Sequence, residues 1–266
     1  MATVTKRQGS ALWEAAPTEF STTSTLLHVY GDTGTGKSTL ALTAPGPIAY
    51  MHAAEKIVGI VEPFARKKDV RLYNFGATFP GGNPQATAKA ANEVWMRMCE
   101  AWYDAYGWAR TIVWDTHDEG WELIRLARFG GLKPTGGRVD ANYGPVNAEF
   151  KALFKRFREQ DRANVILIGH TKDEYVKSKT TGGSEGMGQR TGNTIVAGQK
   201  DVVKSCDVSV RMRKDFDDDG SLKFFARIEK GWMNAQVEGI ELEDDMATFS
   251  EIMSIVTGLE AEEWSR

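Results

Sequence analysis

A phosphate-binding loop is the strongest chemical signal in the sequence. Residues 31–38 read Gly-Asp-Thr-Gly-Thr-Gly-Lys-Ser and fit the pattern G-x-x-x-x-G-K-[ST] at every fixed position. The glycines of such a loop let successive backbone N–H groups turn towards phosphate oxygens. Lys37 would reach the β- and γ-phosphates, and the Ser38 hydroxyl would bind Mg²⁺. The sequence therefore predicts a site for a nucleoside triphosphate, which we interpret as ATP, and for Mg²⁺.

The elements that must position this loop are also predicted. Residues 26–30 form a short, mostly apolar run typical of a buried strand, and residues 37–43 contain no helix breaker before Pro45. A strand that leads into the loop and a helix that follows it are the context in which the motif works. The predicted nucleotide-binding residues are Gly31, Asp32, Thr33, Gly34, Thr35, Gly36, Lys37, Ser38 and Thr39.

Asp115 is the candidate for the second metal ligand. It ends the apolar run 110–115, which is typical of a Walker B strand. A carboxylate in that position binds Mg²⁺ directly or through water. We therefore expect Ser38 and Asp115 to face each other across the metal site.

The general base has two candidates. Thr116 follows Asp115 at a position where many ATPases carry a catalytic Glu, so the base must come from elsewhere. Glu55 lies just after the predicted strand 48–51, at the sheet edge where ligands bind in open α/β folds. Glu55 is the first candidate and Glu119 the second.

A polar side chain and a long polar segment follow the next predicted strand. Residues 164–171 form a buried strand that carries His170 at its end, where the imidazole could bind the γ-phosphate and respond to its loss. Residues 177–200 are rich in Gly, Thr, Ser, Gln and Lys, which predicts a loop rather than a core element. Loops of that length inside a domain are usually functional or disordered.

The remaining periodicities predict an α/β domain that closes with a hairpin. Alternating residues on either side of an Asp-Gly turn are typical of a β-hairpin. The further predicted elements are a strand at 70–75, helices at 85–106, 116–128 and 150–157, hairpin strands at 206–213 and 222–229, and a C-terminal helix at 249–259.

Composition indicates a globular protein of one domain. The chain has 266 residues, of which 41% are hydrophobic and 26% are charged. Residues 1–24 show no clear period and are expected to form a flexible N-terminal arm, with a single domain over 25–266. Two cysteines, no signal peptide and no apolar run of membrane-spanning length predict a cytoplasmic protein without a membrane partner.

The charge is unevenly distributed along the chain. The net charge of −3 argues against a polycation that coats nucleic acid. Segment 172–214 nevertheless contains nine Lys and Arg against five Asp and Glu. A local basic surface in this segment therefore remains compatible with an acidic protein.

In this order, these motifs resemble the RecA-like P-loop ATPase core, and more narrowly the small phage-encoded RecA-like proteins of single-strand annealing and recombination. The resemblance covers roughly residues 24–240 and is strongest at the phosphate loop. It implies a mostly parallel central sheet flanked by helices with a C-terminal antiparallel hairpin. It also implies an ATPase that acts on single-stranded DNA as a ring or filament of identical subunits in the cytoplasm of an infected bacterium.

The same resemblance implies roles for individual residues. Glu55 would activate the attacking water, His170 would be the sensor, and Lys230 would reach the γ-phosphate of a neighbouring subunit. Residues 172–200 would form the mobile DNA-binding loop, with phosphate contacts from Lys177, Lys179, Arg190 and Lys200. A single-strand-binding protein is a candidate partner.

Two other functions fit the same loop. One is a helicase-like or packaging-type motor ATPase, although the sequence shows no separate unwinding domain. The other is a P-loop kinase or nucleotide switch that does not act on DNA. The sequence separates neither ATP from GTP nor DNA from RNA.

Overall fold

The apolar runs of the sequence form parallel strands that alternate with helices. In this computed structural model the described residues are 24–53, 57–133, 139–160, 162–176, 189–199, 201–217 and 219–265, with only the backbone described at 139–142 and 154–160. The strands are β1 (Leu26–Gly31), β2 (Ile48–His52), β3 (Val70–Asn74), β4 (Thr111–Asp115), β5 (Asn164–Gly169), β6 (Thr171–Val176), β7 (Gln189–Val196), β8 (Val208–Phe216), β9 (Leu222–Gly231) and β10 (Glu241–Glu243).

The helices predicted at 85–106, 116–128 and 249–259 agree with the structure, whereas the helix predicted at 150–157 is much longer and the helix over 58–65 was not predicted. The helices of the structure are α1 (Lys37–Thr43), α2 (Val58–Ala65), α3 (Pro84–Ala105), α4 (His117–Phe129), α5 (Val139–Gln160), α6 (Val202–Ser205), α7 (Phe249–Thr257) and α8 (Ala261–Ser265). Asn83 begins α3 by accepting hydrogen bonds from the backbone N–H groups of Gln85 and Ala86. Among the described residues, no helix is both long and apolar enough to cross a membrane.

One 8-stranded sheet holds the molecule together in the order β10-β9-β8-β1-β5-β4-β2-β3. Six neighbouring strands of the sheet are parallel, namely β8, β1, β5, β4, β2 and β3. At one side of the sheet, β9 pairs antiparallel with β8, and β10 pairs antiparallel with β9. This confirms the predicted mostly parallel α/β sheet with a C-terminal antiparallel hairpin. Because β5 lies between β1 and β4, the ends of these three strands meet at one edge of the sheet.

Helices cover the sheet on both faces. On one face, Trp102 of α3 and Phe150 of α5 pack against Trp114 of β4, and Trp95 of α3 stacks on Phe150. On the other face, apolar residues of α1, α2, α7 and α8 pack against β1, β2, β8 and β9. Apolar burial on both faces accounts for the nearly continuous hydrophobic sequence of the central strands.

The prediction of a loop over 177–200 was wrong for its second half. Residues Gln189–Val196 form β7, which pairs antiparallel with β6 in a separate 2-stranded sheet. The low apolar content was misleading because this ribbon is largely exposed and needs little core. Cross-strand polar pairs stabilise it instead, such as Arg190 with Asp173 at 2.5 Å and Thr191 with Glu174 at 2.8 Å.

Several predicted segments and residues lie outside the part of the chain that the structure describes. The predicted N-terminal arm, residues 1–24, lies outside the described residues except for its last position, and so do residues 177–188 and Lys200. The predicted C-terminal helix corresponds to α7, which ends at Thr257, and is followed by the short α8.

Candidate nucleotide-binding site

The phosphate loop joins β1 to α1 in a backbone conformation that depends on glycine. Gly36 has φ 86°, in the left-handed region that residues with a Cβ rarely adopt. A Cβ on Gly31 would lie 2.3 Å from the carbonyl oxygen of Met212, so β8 approaches the loop closely. The glycines of the motif are thus required by the loop itself and by the neighbouring strand.

Lys37 is buried inside the curve of the loop. Its ammonium group donates hydrogen bonds to the carbonyl oxygens of Gly31 at 2.8 Å and Asp32 at 2.7 Å. Burial lowers the pKa of Lys37, although the nearby carboxylate of Asp115 acts in the opposite direction. The positively charged ammonium group that would bind phosphates is therefore fixed beside the loop and does not extend into solvent.

Ser38 and Asp115 meet as the sequence predicts. The Ser38 hydroxyl donates to Oδ2 of Asp115 at 2.8 Å, across the gap between the first turn of α1 and the end of β4. Tyr50 of β2 donates to the same oxygen at 2.5 Å. Burial, together with the charge of Asp115, raises the pKa of Tyr50 well above its usual value, so the phenol stays protonated as a donor.

The two oxygen ligands, Ser38 and Asp115, suit Mg²⁺ better than they suit a metal ion whose ligands all come from the protein. Mg²⁺ is usually held by one or two protein oxygens together with substrate phosphates and water. Ser38 and Asp115 supply such oxygens beside the phosphate loop. Among the described residues there is no cluster of three or more His, Cys, Asp or Glu that could hold a metal ion.

His170 follows β5 at the same edge of the sheet and forms an ion pair with Asp118 of α4. Its Nδ1 lies 3.0 Å from Oδ2 of Asp118, and its backbone N–H donates to Oδ1 at 3.3 Å. The hydrogen bond with Asp118 raises the pKa of His170. Burial opposes ionisation of Asp118, but the hydrogen bond from His170 lowers the pKa of the carboxyl to about 2. The pair favours a charged imidazole near the phosphate loop.

Of the two predicted general bases, only Glu119 belongs to the described residues, since Glu55 lies in the undescribed segment 54–56. Glu119 is in the first turn of α4 and lines a cleft of about 310 Å³ together with Ala53, Phe75 and Glu122. Burial and the neighbouring carboxylate of Asp118 raise the pKa of Glu119. A raised pKa suits a carboxylate that accepts a proton. The prediction that Glu55 or Glu119 is the general base stays a prediction, with Glu55 as the first candidate.

Sequence reasoning missed a buried histidine pair beneath the site. Nε2 of His28 in β1 lies 3.1 Å from Nε2 of His117 in α4, and Nδ1 of His28 lies 3.2 Å from the Ser209 hydroxyl. Burial lowers the pKa of both rings, that of His117 to about 4. The available signal was His28 itself, a titratable residue in the middle of an otherwise apolar strand.

The β6–β7 hairpin is connected to the phosphate loop. The Thr171 hydroxyl at its base donates to the carboxylate of Asp32, and the backbone N–H of Ala197 donates to the carbonyl of His170 at 2.8 Å. Farther out, Arg211 of β8 donates to the Thr194 hydroxyl at 3.0 Å. The hairpin therefore contacts both the loop and the sheet.

The predicted DNA-binding residues divide between the described and undescribed parts of the chain. Arg190 lies on β7 directly opposite Tyr175, an aromatic residue whose side chain is 61% exposed. Lys177, Lys179 and Lys200 lie outside the described residues.

Lys230 points into its own chain. Its ammonium donates to the carbonyl oxygens of Val203 at 3.3 Å, of Lys204 at 3.3 Å, and of Cys206. It pairs with Ser209 near the start of β8, whereas the phosphate loop lies beside the later residues of that strand. The predicted role in a neighbour's site stays a prediction, and it would require these bonds to break.

The sequence matches one family model and is similar to two solved structures. A family model described as an AAA domain matches residues 24–233. The chain is similar to the solved structure of the RadB recombinase, with 16% identity, 82% of this chain and 86% of that chain covered, and a TM-score of 0.43. It is also similar to the flagellar accessory protein FlaH from Methanocaldococcus jannaschii, with 13% identity, coverage of 82% and 84%, and a TM-score of 0.43. No curated protein matches the sequence.

Proposed function

Because the chain belongs to the AAA domain family of P-loop NTPases, we propose that it hydrolyses ATP and couples that reaction to the binding of single-stranded DNA. The observation that carries the ATPase proposal is the hydrogen bond between Ser38 and Asp115. It joins the end of the phosphate loop to the carboxylate of the last residue of β4, which is the arrangement that Mg²⁺-dependent phosphoryl transfer requires.

Each group at this edge then has a task in hydrolysis. The backbone of the loop and Lys37 bind the phosphates, and Ser38 with Asp115 would hold Mg²⁺, which supplies positive charge to the β- and γ-phosphates. Glu119 or Glu55 accepts a proton from the attacking water. His170, held by Asp118, donates a hydrogen bond to the terminal phosphate and senses its release.

The β6–β7 hairpin is the proposed DNA-binding element. Its exposed Tyr175 offers a ring on which a base can stack, and Arg190 across the strand pair would exchange its ion pair with Asp173 for a phosphate of the DNA backbone. The contact between Thr171 and Asp32 ties the hairpin to the phosphate loop, so nucleotide binding can change the position of the hairpin. The basic balance of segment 172–214 adds sequence-tolerant attraction.

The biological role that we propose is annealing or strand pairing in phage recombination and repair, by an assembly of identical subunits. This role rests on the order of motifs that resembles the phage RecA-like proteins. In such an assembly Lys230 of one subunit would leave its own carbonyls and complete the site of the next.

The test is ATP hydrolysis measured against protein concentration, with and without an unstructured single-stranded DNA. We expect DNA to stimulate turnover, and Lys37→Ala to reduce it by at least about 100-fold because the phosphate charge is no longer neutralised. Tyr175→Ala should keep the DNA-free rate and lose the stimulation, whereas Tyr103→Ala, an exposed tyrosine on α3, should lose neither.

Each part of the proposal can fail separately. Turnover of the parent protein that DNA does not change would leave an ATPase or nucleotide switch that does not act on DNA. A rate per subunit that is independent of protein concentration and unchanged in Lys230→Ala would contradict a shared active site. No hydrolysis and no ATP binding by the parent protein would overturn the whole proposal.

A further inference from the structure

Strand β8 extends beyond the end of β1 and brings a second lysine to the phosphate loop. The pairing of β1 with β8 ends at Gly31 and Met212, but β8 continues to Phe216. The ammonium nitrogen of Lys214 lies 3.3 Å from the position that a Cβ on Gly34 would occupy. A lysine from a different element therefore lies beside the middle of the loop.

The strand extension that carries this lysine is firmly held. Lys214 pairs with Phe224 of β9, and the Phe224 backbone N–H donates to the carboxylate of Asp244 at 2.8 Å. The Phe224 ring and the Met212 methyl group lie 3.5 Å and 3.6 Å from the Cβ position of Gly36. The two strands thus form a wall against the loop, which fixes the backbone of Lys214 relative to Gly34.

The neighbouring cations of this hairpin have carboxylate partners. Arg213 pairs with Glu241 at 2.6 Å, and Lys223 pairs with Asp217 at 2.8 Å. Within the part of the chain that the structure describes, no carboxylate lies within ion-pair distance of the Lys214 ammonium. Its charge is therefore available to an anion held by the loop.

We propose that Lys214 binds the phosphates of ATP and stabilises the charge that develops on them during hydrolysis, within its own subunit. The inference rests on the proposed ATPase function. A cation that approaches a phosphate loop from the side supplies the charge neutralisation that some NTPases obtain from an arginine in the same chain. Lys230 is bound to carbonyls of its own chain, whereas Lys214 already lies beside the loop.

Steady-state hydrolysis and equilibrium binding of ATP and ADP by Lys214→Ala and Lys214→Met test this role. We expect kcat to fall by about 100-fold or more, the loss typical of one group that stabilises developing charge. ATP affinity should fall more than ADP affinity, because the triphosphate carries more charge. Lys214→Met keeps the apolar stem of the side chain, so it separates loss of charge from loss of packing. Lys214→Arg should recover part of kcat.

Lys223→Ala is the matched control, since Lys223 belongs to the same hairpin but pairs with carboxylates. It should leave kcat and both affinities unchanged. Parental kcat in Lys214→Met, with Lys37→Ala inactive, would overturn the role of Lys214 and leave the ATPase proposal intact. A parent protein that neither binds nor hydrolyses ATP would instead refute the proposed function. Thermal unfolding of each variant identifies any loss of activity caused by misfolding.

Discussion

Tyr50 orients Asp115, one of the two proposed metal ligands, through a hydrogen bond. Its hydroxyl donates to the same oxygen of Asp115 that Ser38 contacts. A group that orients a ligand in this way commonly contributes 10- to 100-fold to metal affinity. The carboxylate of Asp115 is therefore placed by two donors before any metal binds.

Replacing Tyr50 by Phe should weaken Mg²⁺ binding without removing a metal ligand. We expect the Mg²⁺ concentration for half-maximal ATP hydrolysis to rise by about 10-fold. Tyr30→Phe is the control, because Tyr30 also donates to a carboxylate, that of Glu229, on the far side of β1 from β4. Equal Mg²⁺ dependence in the two variants would contradict the orienting role.

At the residue scale, motif chemistry predicted groups at the end of a strand or at the end of the loop that follows one. Ser38, Asp115 and His170 each come at a loop or strand end, and parallel strands bring such ends together. Asp118 and Tyr50 could not be found this way, because their contacts depend on how far a helix turns and on which face of a strand a side chain points. The same holds for Lys214, whose position depends on how far β8 extends beyond β1.

Helix α4 is the element that joins the site to the core, and Gly120 sets its distance from the sheet. A Cβ on Gly120 would lie 2.1 Å from Cζ2 of Trp114, a fully buried side chain on β4. The helix can approach β4 this closely only because position 120 has no side chain. Asp118, Glu119 and His117 depend on that approach for their places in the site.

Substitution of Gly120 by Ala should therefore destabilise the protein despite the better helix propensity of alanine. Overpacking of this kind typically costs about 1–3 kcal/mol. Gly59→Ala in α2 is the matched control, because a Cβ there meets nothing within 4 Å and the change should stabilise by up to about 1 kcal/mol. Urea unfolding of both variants measures the difference, and equal free energies of unfolding would contradict the close packing.

At the element scale, periodicity predicted the buried strands and helices but not the exposed hairpin. Apolar repeats identify α3 and β4 because burial imposes them. The β6–β7 ribbon has no such pattern, since most of its residues are exposed and its stability comes from strand pairing and polar cross-strand contacts. Because apolar periodicity arises from burial, it cannot predict an exposed ribbon such as β6–β7.

The buried pair of His28 and His117 affects the stability of the whole molecule. Burial keeps both rings neutral in the folded protein, whereas unfolded histidine takes up a proton near pH 6.5. As the pH falls below about 6.5, the unfolded chain binds protons that the folded chain does not. Folding stability supplied by this pair is therefore present at neutral pH and decreases with acidification.

We expect the free energy of unfolding to fall by up to about 1.4 kcal/mol per pH unit for each of these histidines between pH 6.5 and 5. His117→Gln should reduce this slope. His170→Gln should leave this slope nearly unchanged, because the raised pKa of His170 stabilises the folded state fully below pH 6.5 and that effect is lost only as the pH rises above 6.5 through the folded-state pKa. Identical slopes for the parent protein and His117→Gln in urea titrations would refute this account.

The position of β1 in the sheet determines when the nucleotide site can form during synthesis. β1 leads the described chain, yet its partners β5 and β8 begin only at Asn164 and Val208. Pairing across such sequence separations is slow, because closing a long loop costs entropy before the contacts stabilise it. The phosphate motif leaves the ribosome before β5 and β8, so both edges of β1 stay unpaired until those strands have been synthesised. A nascent chain that stops after β5 but before β8 should leave unprotected against hydrogen exchange those amides of β1 that face β8 in the complete sheet.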